Sequence, residues 1–232
     1  MSRIRRVRRG LLAVALGAAA LALAGWGAVS SVALPAPEEL VPNTVALISD
    51  VSSPYGTITR HELRHEVVIV ASQANRRPLP RPGDGGYERL QREALKFQLE
   101  GIWIRGEAAE RNISVTPRQV SRTLALIKKE SFKSGAEYRR FLKESHYTRR
   151  DVRERVEIQL LSLELQEWLL RRLAREGKTS RTEEQRGLTE FVDEFSEKWK
   201  SRTVCGPDYA IDRCSNGPPS TRHVRRASAD SR

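Results

Sequence analysis

Two histidines and a glutamate stand at the spacing of a zinc-hydrolase motif, near the start of one predicted helix. The segment His61-Glu62-Leu63-Arg64-His65 matches the pattern H-E-x-x-H. On a helix this spacing puts two imidazoles one turn apart to bind zinc, and the glutamate can act as general base toward a metal-bound water. Taken alone, the motif predicts a zinc metalloprotease.

The surroundings of this motif favour a structural role instead. Thr59 and Glu62 are spaced as a capping box, in which the carboxylate accepts a hydrogen bond from the cap's own N–H. Arg60 and Arg64 flank the histidines, and cations beside a dication are unfavourable. The other two histidines of the chain are distant in sequence, so no third ligand is indicated. We therefore predict no metal site and no cofactor, with the zinc protease kept as an alternative.

Other reactive side chains are few. The chain has only two cysteines, Cys205 and Cys214, and in an exported protein they can oxidise and close a short loop. We therefore predict a disulfide between them. A zinc site is not indicated, because no second cysteine pair or nearby histidine pair completes four ligands. Neither a glycine-rich phosphate loop nor a nucleophile-elbow motif is present. No catalytic residue is predicted.

Helix starts are the clearest structural signal in the chain. Five segments place a hydroxyl residue three positions before an acceptor-bearing side chain, and they begin at Thr59, Thr116, Ser134, Thr148 and Thr182. Apolar residues at helical spacing follow each of them and also mark a long helix from Tyr87 to about Arg111. A short apolar run from Val45 to Ile48 indicates a strand. We predict a mainly α-helical domain over residues 44–202 with one short N-terminal strand.

The segments on either side of this domain are predicted to lie outside its core. Residues 1–10 hold five arginines, and residues 11–33 carry no charge and are long enough to cross a bilayer as a helix. The arginines should remain cytoplasmic, so we predict a signal anchor over residues 1–33 and an extracytoplasmic domain, with a cleaved signal peptide as the alternative. Residues 34–43 are predicted to form a proline-rich spacer, 203–215 a cysteine-bearing loop and 216–232 a disordered basic tail.

The net charge of +12 does not by itself indicate nucleic-acid binding. Residues 1–10 contribute +5 and residues 216–232 contribute +3, which leaves +4 for residues 11–215. Acids and bases are mixed in that long stretch, as they are on solvated helix faces, and no basic stripe is evident. We predict no nucleic-acid partner, and we expect the N-terminal arginines to meet anionic lipid headgroups.

Several segments stand in an order that resembles a known family. They are Val45-Ala46-Leu47-Ile48, Gly56-Thr57-Ile58-Thr59, Trp103-Ile104-Arg105-Gly106-Glu107-Ala108, Asn112-Ile113-Ser114-Val115-Thr116, Phe141-Leu142-Lys143-Glu144-Ser145 and, near the end, Phe195-Ser196-Glu197-Lys198-Trp199. Residues 44 to about 173 resemble the N-terminal chaperone domain of SurA-type and PrsA-type foldases, which is related to the peptide-binding domain of trigger factor. The closing segment is similar to that of actinobacterial members.

The resemblance implies a membrane-tethered holdase that binds unfolded or nascent secreted polypeptides. Many family members carry a parvulin-type prolyl isomerase domain between the long helix and the closing helix. Here only Arg175 to Arg186 fill that place, so we expect no isomerase catalysis. Residual isomerase activity is one alternative, and an envelope assembly factor with a single dedicated partner is another.

A holdase needs apolar and aromatic surface that polypeptides can reach. The candidate client-binding residues are Phe97, Trp103, Phe132, Tyr138, Phe141 and Tyr147. Ordinary core packing is the competing interpretation for each of them. Because Phe132 and Tyr147 stand beside turns, we expect these two to be the most exposed of the set.

Overall fold

Helices dominate the structure, a computed structural model that describes residues 34–52, 54–74 and 78–219. This part of the chain forms six α-helices and a three-stranded sheet, so the predicted mainly α-helical class is confirmed. In chain order the elements are β1 (Thr44–Ile48), β2 (Thr57–Thr59), α1 (Arg60–Gln73), α2 (Gly85–Glu110), α3 (Pro117–Ser131), α4 (Gly135–Ser145), α5 (Arg149–Arg175), α6 (Arg181–Ser201) and β3 (Thr203–Cys205).

Side-chain caps begin four of the helices at the predicted residues. Both hydrogen bonds of the capping box are formed at Thr59, Thr116 and Thr148. Ser134 accepts the N–H of Glu137, but the Glu137 carboxylate accepts from the N–H of Lys133 and not from that of the cap. The fifth cap prediction is wrong by two residues, because Ser180 caps α6 with Glu183 as its partner and Thr182 lies in the first turn. Each cap supplies an acceptor to a backbone N–H that the helix itself leaves unpaired.

The prediction of one strand is incomplete. β1 is the central strand of an antiparallel sheet with the order β2-β1-β3. Within it Ala46 pairs with Ile58 on one side and with Cys205 on the other. The region predicted as a loop over residues 203–215 therefore begins with a fully buried strand. Because three-residue strands carry almost no periodicity, their sequences gave no signal of this pairing.

The main core lies between the sheet and helices α1, α2, α5 and α6. Trp103 and Trp199 fill its centre with 1% and 0% of their surface exposed. The indole N–H of Trp103 donates to the Thr203 hydroxyl at 2.9 Å, and that hydroxyl donates to the Trp199 carbonyl at 2.8 Å. These bonds satisfy buried polar groups and join α2 to the junction of α6 and β3.

A second, smaller core lies beneath α3 and α4. Its buried members are Ile69, Val120, Leu124, Tyr138, Leu142, Tyr147, Val152 and Val156. Helix α5 belongs to both cores, since Val152 and Val156 contribute to the second core while Leu161 and Leu165 contribute to the main one. Helix α1 does the same, with Ile69 in the second core and Val67 in the main one, so α1 and α5 together fix the two cores relative to each other.

The C-terminal part of the described chain is held against the sheet. The sulfurs of Cys205 and Cys214 lie 2.01 Å apart, which is the distance of a disulfide. Asn216 donates from its amide to the Cys205 carbonyl at 2.8 Å and accepts the Cys205 N–H at 3.1 Å, so the disorder predicted from residue 216 does not apply to Asn216. The predicted spacer over residues 34–43 contains one 3-10 turn, Pro37–Glu39.

The predicted anchor over residues 1–33 and the tail over residues 220–232 lie outside the described residues. Within the described ranges, every helix is too short or too polar to cross a bilayer.

Candidate functional site

An open cleft of about 500 Å³ lies between α1, α2 and α5, beside the turn that joins β1 to β2. Its apolar lining consists of Tyr55, Ile58, Phe97, Ile102 and Ile158. Helices α2 and α5 approach closely at its floor, because a Cβ on Gly101 would lie 2.9 Å from the end of Ile158. Tyr55 is 39% exposed at the rim. The cleft thus presents apolar surface to solvent in a concave shape, which is the usual form of a binding site.

The buried charges of the cleft are paired with one another. Arg155 Nη2 donates to Glu66 Oε1 at 2.6 Å, and each side chain is only 9% exposed. Burial raises the pKa of the Glu66 carboxyl above its ordinary value, although the Arg155 guanidinium acts in the opposite direction. His65 Nε2 and Asp151 Oδ2 lie 2.9 Å apart. The cleft therefore combines an apolar wall with ionisable side chains, most of which are paired with one another or with a neighbour.

Arg155 also connects the cleft with the second core. Its guanidinium lies 4.0 Å from the ring centre of Phe97 and 4.8 Å from that of Tyr147. Stacking of this kind favours arginine over lysine, since the planar guanidinium can contact a ring and still donate to a carboxylate. The ion pair with Glu66 and the two ring contacts together place Arg155 at the boundary of the two cores.

The zinc-motif side chains line the same cleft but have other partners. Glu62 Oε2 accepts the N–H of Thr59 at 2.8 Å and its hydroxyl at 2.7 Å. His65 is engaged by Asp151, and His61 is exposed. Among the residues that the structure describes, no three His, Cys, Asp or Glu side chains are grouped so that they could hold a metal ion. This geometry favours the structural interpretation of the motif.

The six predicted client-binding aromatics fall into three different places. Phe97 is half-buried and lines the cleft. Trp103 is buried in the main core, where it contacts Phe195 edge to face with ring centres 6.1 Å apart. The other four form one aromatic cluster at the second core, with adjacent ring centres between 5.2 and 6.4 Å apart: Phe132, Tyr138, Phe141 and Tyr147. Trp103 and Tyr138 are therefore core residues, as the competing interpretation held.

The expectation that Tyr147 would be exposed is wrong. Only 7% of its surface is accessible, because its ring packs against Phe141 and beneath the Arg155 guanidinium. Burial raises the pKa of its hydroxyl to about 12, and the Gln73 amide donates to that hydroxyl. Phe132 is half-buried. A position beside a turn did not predict exposure, because the following helix folds back over the ring.

A second recess, of about 310 Å³, lies where α3 meets α4. Phe132 and Phe141 line it together with the exposed cations Lys133 and Arg140 and the carboxylates Glu137 and Glu144. Two of the predicted aromatics are thus accessible from this side, although they do not face the larger cleft.

Several cleft residues were not predicted as part of a site. Tyr55 and Ile102 line the cleft, and Glu66 and Arg155, which are 89 positions apart in the sequence, form its ion pair. The amide oxygen of Gln98 is buried there without a hydrogen-bond partner in the described chain, while its amide nitrogen donates to the Glu62 carbonyl at 3.1 Å. A buried glutamate and arginine on apolar helix faces are a usable sequence signal, because such residues are seldom buried unless paired.

Comparisons with known proteins identify no relative of this chain. No protein-family model matches the chain, and neither the curated proteins nor the solved structures that were searched contain a match.

Asp151→Asn is expected to destabilise the protein by about 1 kcal/mol at neutral pH, the typical contribution of a cap hydrogen bond. The Asp151 carboxylate accepts the N–H of Thr148 at 2.6 Å in addition to its contact with His65. Burial acts to raise the pKa of Asp151, but these hydrogen bonds outweigh it and hold the pKa below its usual value. A depressed folded pKa gives stability that is complete above the unfolded value of about 3.9 and is lost as the pH falls through the folded value.

Urea denaturation of both proteins between about pH 7 and about pH 3 measures this difference. The two stabilities should converge at the acid end. Asp208→Asn, in an exposed 3-10 turn, serves as the control and should show no such convergence. A difference that stays constant at every pH would contradict the assignment to the carboxylate.

Proposed function

We propose that this protein is a membrane-tethered extracytoplasmic chaperone that holds unfolded segments of secreted polypeptides without chemical catalysis. The open apolar cleft between α1, α2 and α5 is the observation that supports this function best. Its concave wall offers aromatic and branched side chains, and its buried charges are paired, so an incoming apolar segment meets no unpaired buried ion. The resemblance to foldase chaperone domains supports the same function.

A holdase acts by covering the apolar surface of its client. The segment enters as an extended chain, places apolar side chains against the Tyr55 and Ile102 wall, and leaves when its own folding competes successfully. Each such contact is weak, which suits a protein that must release its clients.

The test uses the full chain in lipid nanodiscs, with empty nanodiscs as the blank. Aggregation of a chemically denatured test protein is followed by light scattering, and binding of extended apolar peptides by fluorescence anisotropy. Slowed aggregation and saturable peptide binding are expected. The proposal is refuted if a molar excess of the chaperone neither slows aggregation nor binds the peptides.

Tyr55→Asp is expected to weaken peptide binding about tenfold, because a charged side chain replaces an aromatic contact of about 1.4 kcal/mol. Tyr55 is exposed in a turn, so this change should leave the fold intact. Leu163→Asp is the matched control, since Leu163 is 53% exposed on α5 and does not line the cleft. Equal peptide affinities for the two variants would remove the cleft from the proposal.

Three further measurements separate the alternatives. Cross-linking in intact cells should trap many unrelated polypeptides, whereas one stoichiometric partner would indicate an assembly factor. Prolyl isomerisation of a test peptide should proceed at the uncatalysed rate, and turnover above it would indicate an isomerase. Stoichiometric zinc in the purified protein that disappears in His65→Ala would indicate the metalloprotease.

A further inference from the structure

Positive charge is concentrated at one end of the molecule. Residues 117–153, which comprise α3, α4 and the first turn of α5, contain eleven Lys and Arg against four Asp and Glu, a net charge of +7. Helix α6, by contrast, contains four Lys and Arg against six Asp and Glu. The charges are therefore mixed over the chain as a whole but segregated in space. We call residues 117–153 the basic end.

The cations of α3 share its outward side. Arg118, Arg122 and Lys129 are all exposed, and their spacing of four and seven residues places them on one stripe of the helix. The buried Val120 and Leu124 lie on the opposite side, against the second core. Leu126 lies next to the stripe and is 51% exposed. No acidic residue falls on this stripe.

The outward side of α4 repeats this arrangement. Arg139, Arg140 and Lys143 are exposed, while Tyr138 and Leu142 turn inward. Three further exposed cations follow at the start of α5: Arg149, Arg150 and Arg153. Since these elements enclose one small core, their cations cover the same end of the molecule.

Most of these charges lack an acidic partner within the described chain. Arg150 is paired with Glu154 at 2.7 Å, and Arg153 contacts the Ser121 hydroxyl at 3.3 Å. Arg118, Arg122, Lys129 and Arg139 take part in none of the ion pairs found among the described residues. An unneutralised surface of this kind raises the local potential and attracts anionic partners.

We propose that the basic end docks onto a membrane surface that contains anionic lipid. The cations stand on the outward sides of separate helices, and a broad anionic surface fits such a distribution better than a single extended chain does. The exposed Leu126 beside them can enter the headgroup region. Each lysine or arginine held near an anionic bilayer strengthens the association about fivefold.

The predicted tether allows this docking. β1 begins at Thr44, next to the start of α1, and the far end of α1 touches α4 through the Ser72 hydroxyl and the Glu144 carbonyl at 3.1 Å. Fourteen helical residues separate these points by about 21 Å. The spacer over residues 34–43 contains the 3-10 turn Pro37–Glu39, and it can span about 33 Å once that turn unwinds. A domain attached at residue 33 can therefore turn its basic end to the bilayer, and this inference requires no client binding.

The test measures the accessibility of individual lysines in the full chain. The protein is placed in nanodiscs of phosphatidylcholine, with or without phosphatidylglycerol, treated with an amine-acetylating reagent and analysed by mass spectrometry. Acetylation of Lys129, Lys133 and Lys143 is expected to fall at least about threefold with the anionic lipid and to recover in high salt. Lys178 and Lys200, which lie outside the basic end, report the background.

Two charge-reversal variants make the result specific. The triple change Arg118→Glu, Arg122→Glu and Arg139→Glu should abolish the protection. The matched change Arg175→Glu, Arg181→Glu and Arg186→Glu alters three exposed cations outside the basic end and should preserve it. Should the chain not enter nanodiscs, the same acetylation is measured with added vesicles.

Three results would overturn the proposal. They are protection that is independent of lipid charge, equal protection of Lys178 and Lys200, and protection by soluble polyglutamate or single-stranded DNA but not by anionic lipid. None of these bears on the holdase assay, so failure of docking and failure of the proposed function are distinguishable.

Discussion

Trp199→Ala is expected to lower the free energy of unfolding by about 3–5 kcal/mol, a large share of the roughly 5–15 kcal/mol that a domain has. Trp199 is completely buried, and its indole N–H donates to Glu107 Oε2 at 2.8 Å. The Glu107 side chain is itself only 1% exposed and depends on that donor together with Lys198 and Arg111. The substitution opens a cavity and also removes a hydrogen bond from a buried carboxylate.

The same contact can be tested from the opposite side. Gly106 lies directly beneath the Trp199 ring, and a Cβ at that position would come within 2.1 Å of a ring carbon. We therefore expect Gly106→Ala to destabilise by at least about 2 kcal/mol, since the buried ring has no free space to move into. Gly135→Ala is the control, because the nearest atom there is a flexible arginine end at 3.5 Å. Urea denaturation of the three proteins measures both effects, and a Gly106→Ala protein as stable as wild type would refute this packing.

Glu66→Ala is expected to cost about 3–5 kcal/mol, because it leaves the Arg155 guanidinium buried without a counter-charge. Arg155→Ala instead leaves the Glu66 carboxylate buried without a counter-charge. This carboxylate can avoid the free-energy cost of a buried charge by taking up a proton. A carboxyl whose folded pKa is raised destabilises the protein progressively as the pH rises from its unfolded pKa of about 4.3 through its folded pKa, and does not destabilise it below the unfolded value. The loss caused by Arg155→Ala should therefore shrink as the pH falls, whereas the loss caused by Glu66→Ala should not.

Chemical denaturation at several pH values distinguishes these two responses. Replacing both residues by methionine should cost less than either single alanine change, since no charge then remains unpaired. Glu167→Ala provides the control, because its pair with Arg171 is exposed and should contribute less than about 1 kcal/mol. Identical pH profiles for the two single variants would show that Glu66 does not titrate as expected.

The helix starts could be predicted because a cap is a local interaction over three residues. Thr59, Thr116 and Thr148 were identified correctly for this reason. The error at α6 has an equally local origin, since Ser180 and Thr182 both have an acceptor side chain three residues later and the pattern cannot choose between them. The burial of Tyr147 and the pairing of β3 depend on contacts distant in sequence, which no local pattern contains.

The candidate site was predicted only in part. Phe97 was chosen as an accessible aromatic and does line the cleft, but the partners that shape the cleft come from three separate helices. The sequence did not predict the basic end for a different reason. The net charge of residues 11–215 as a whole does not reveal the local excess of positive charge in residues 117–153. The helix faces must also be known before these cations can be assigned to one surface.

The pairing of β1 with β3 determines when this protein can finish folding. Ala46 and Cys205 are neighbours in the sheet, yet almost the whole helical assembly lies between them along the chain. Closing a loop of that length costs about 4–5 kcal/mol of chain entropy, so helices that form local contacts precede it. One edge of the central strand β1 therefore remains unpaired until β3 has been synthesised. A chain interrupted before residue 203 would carry that open edge permanently.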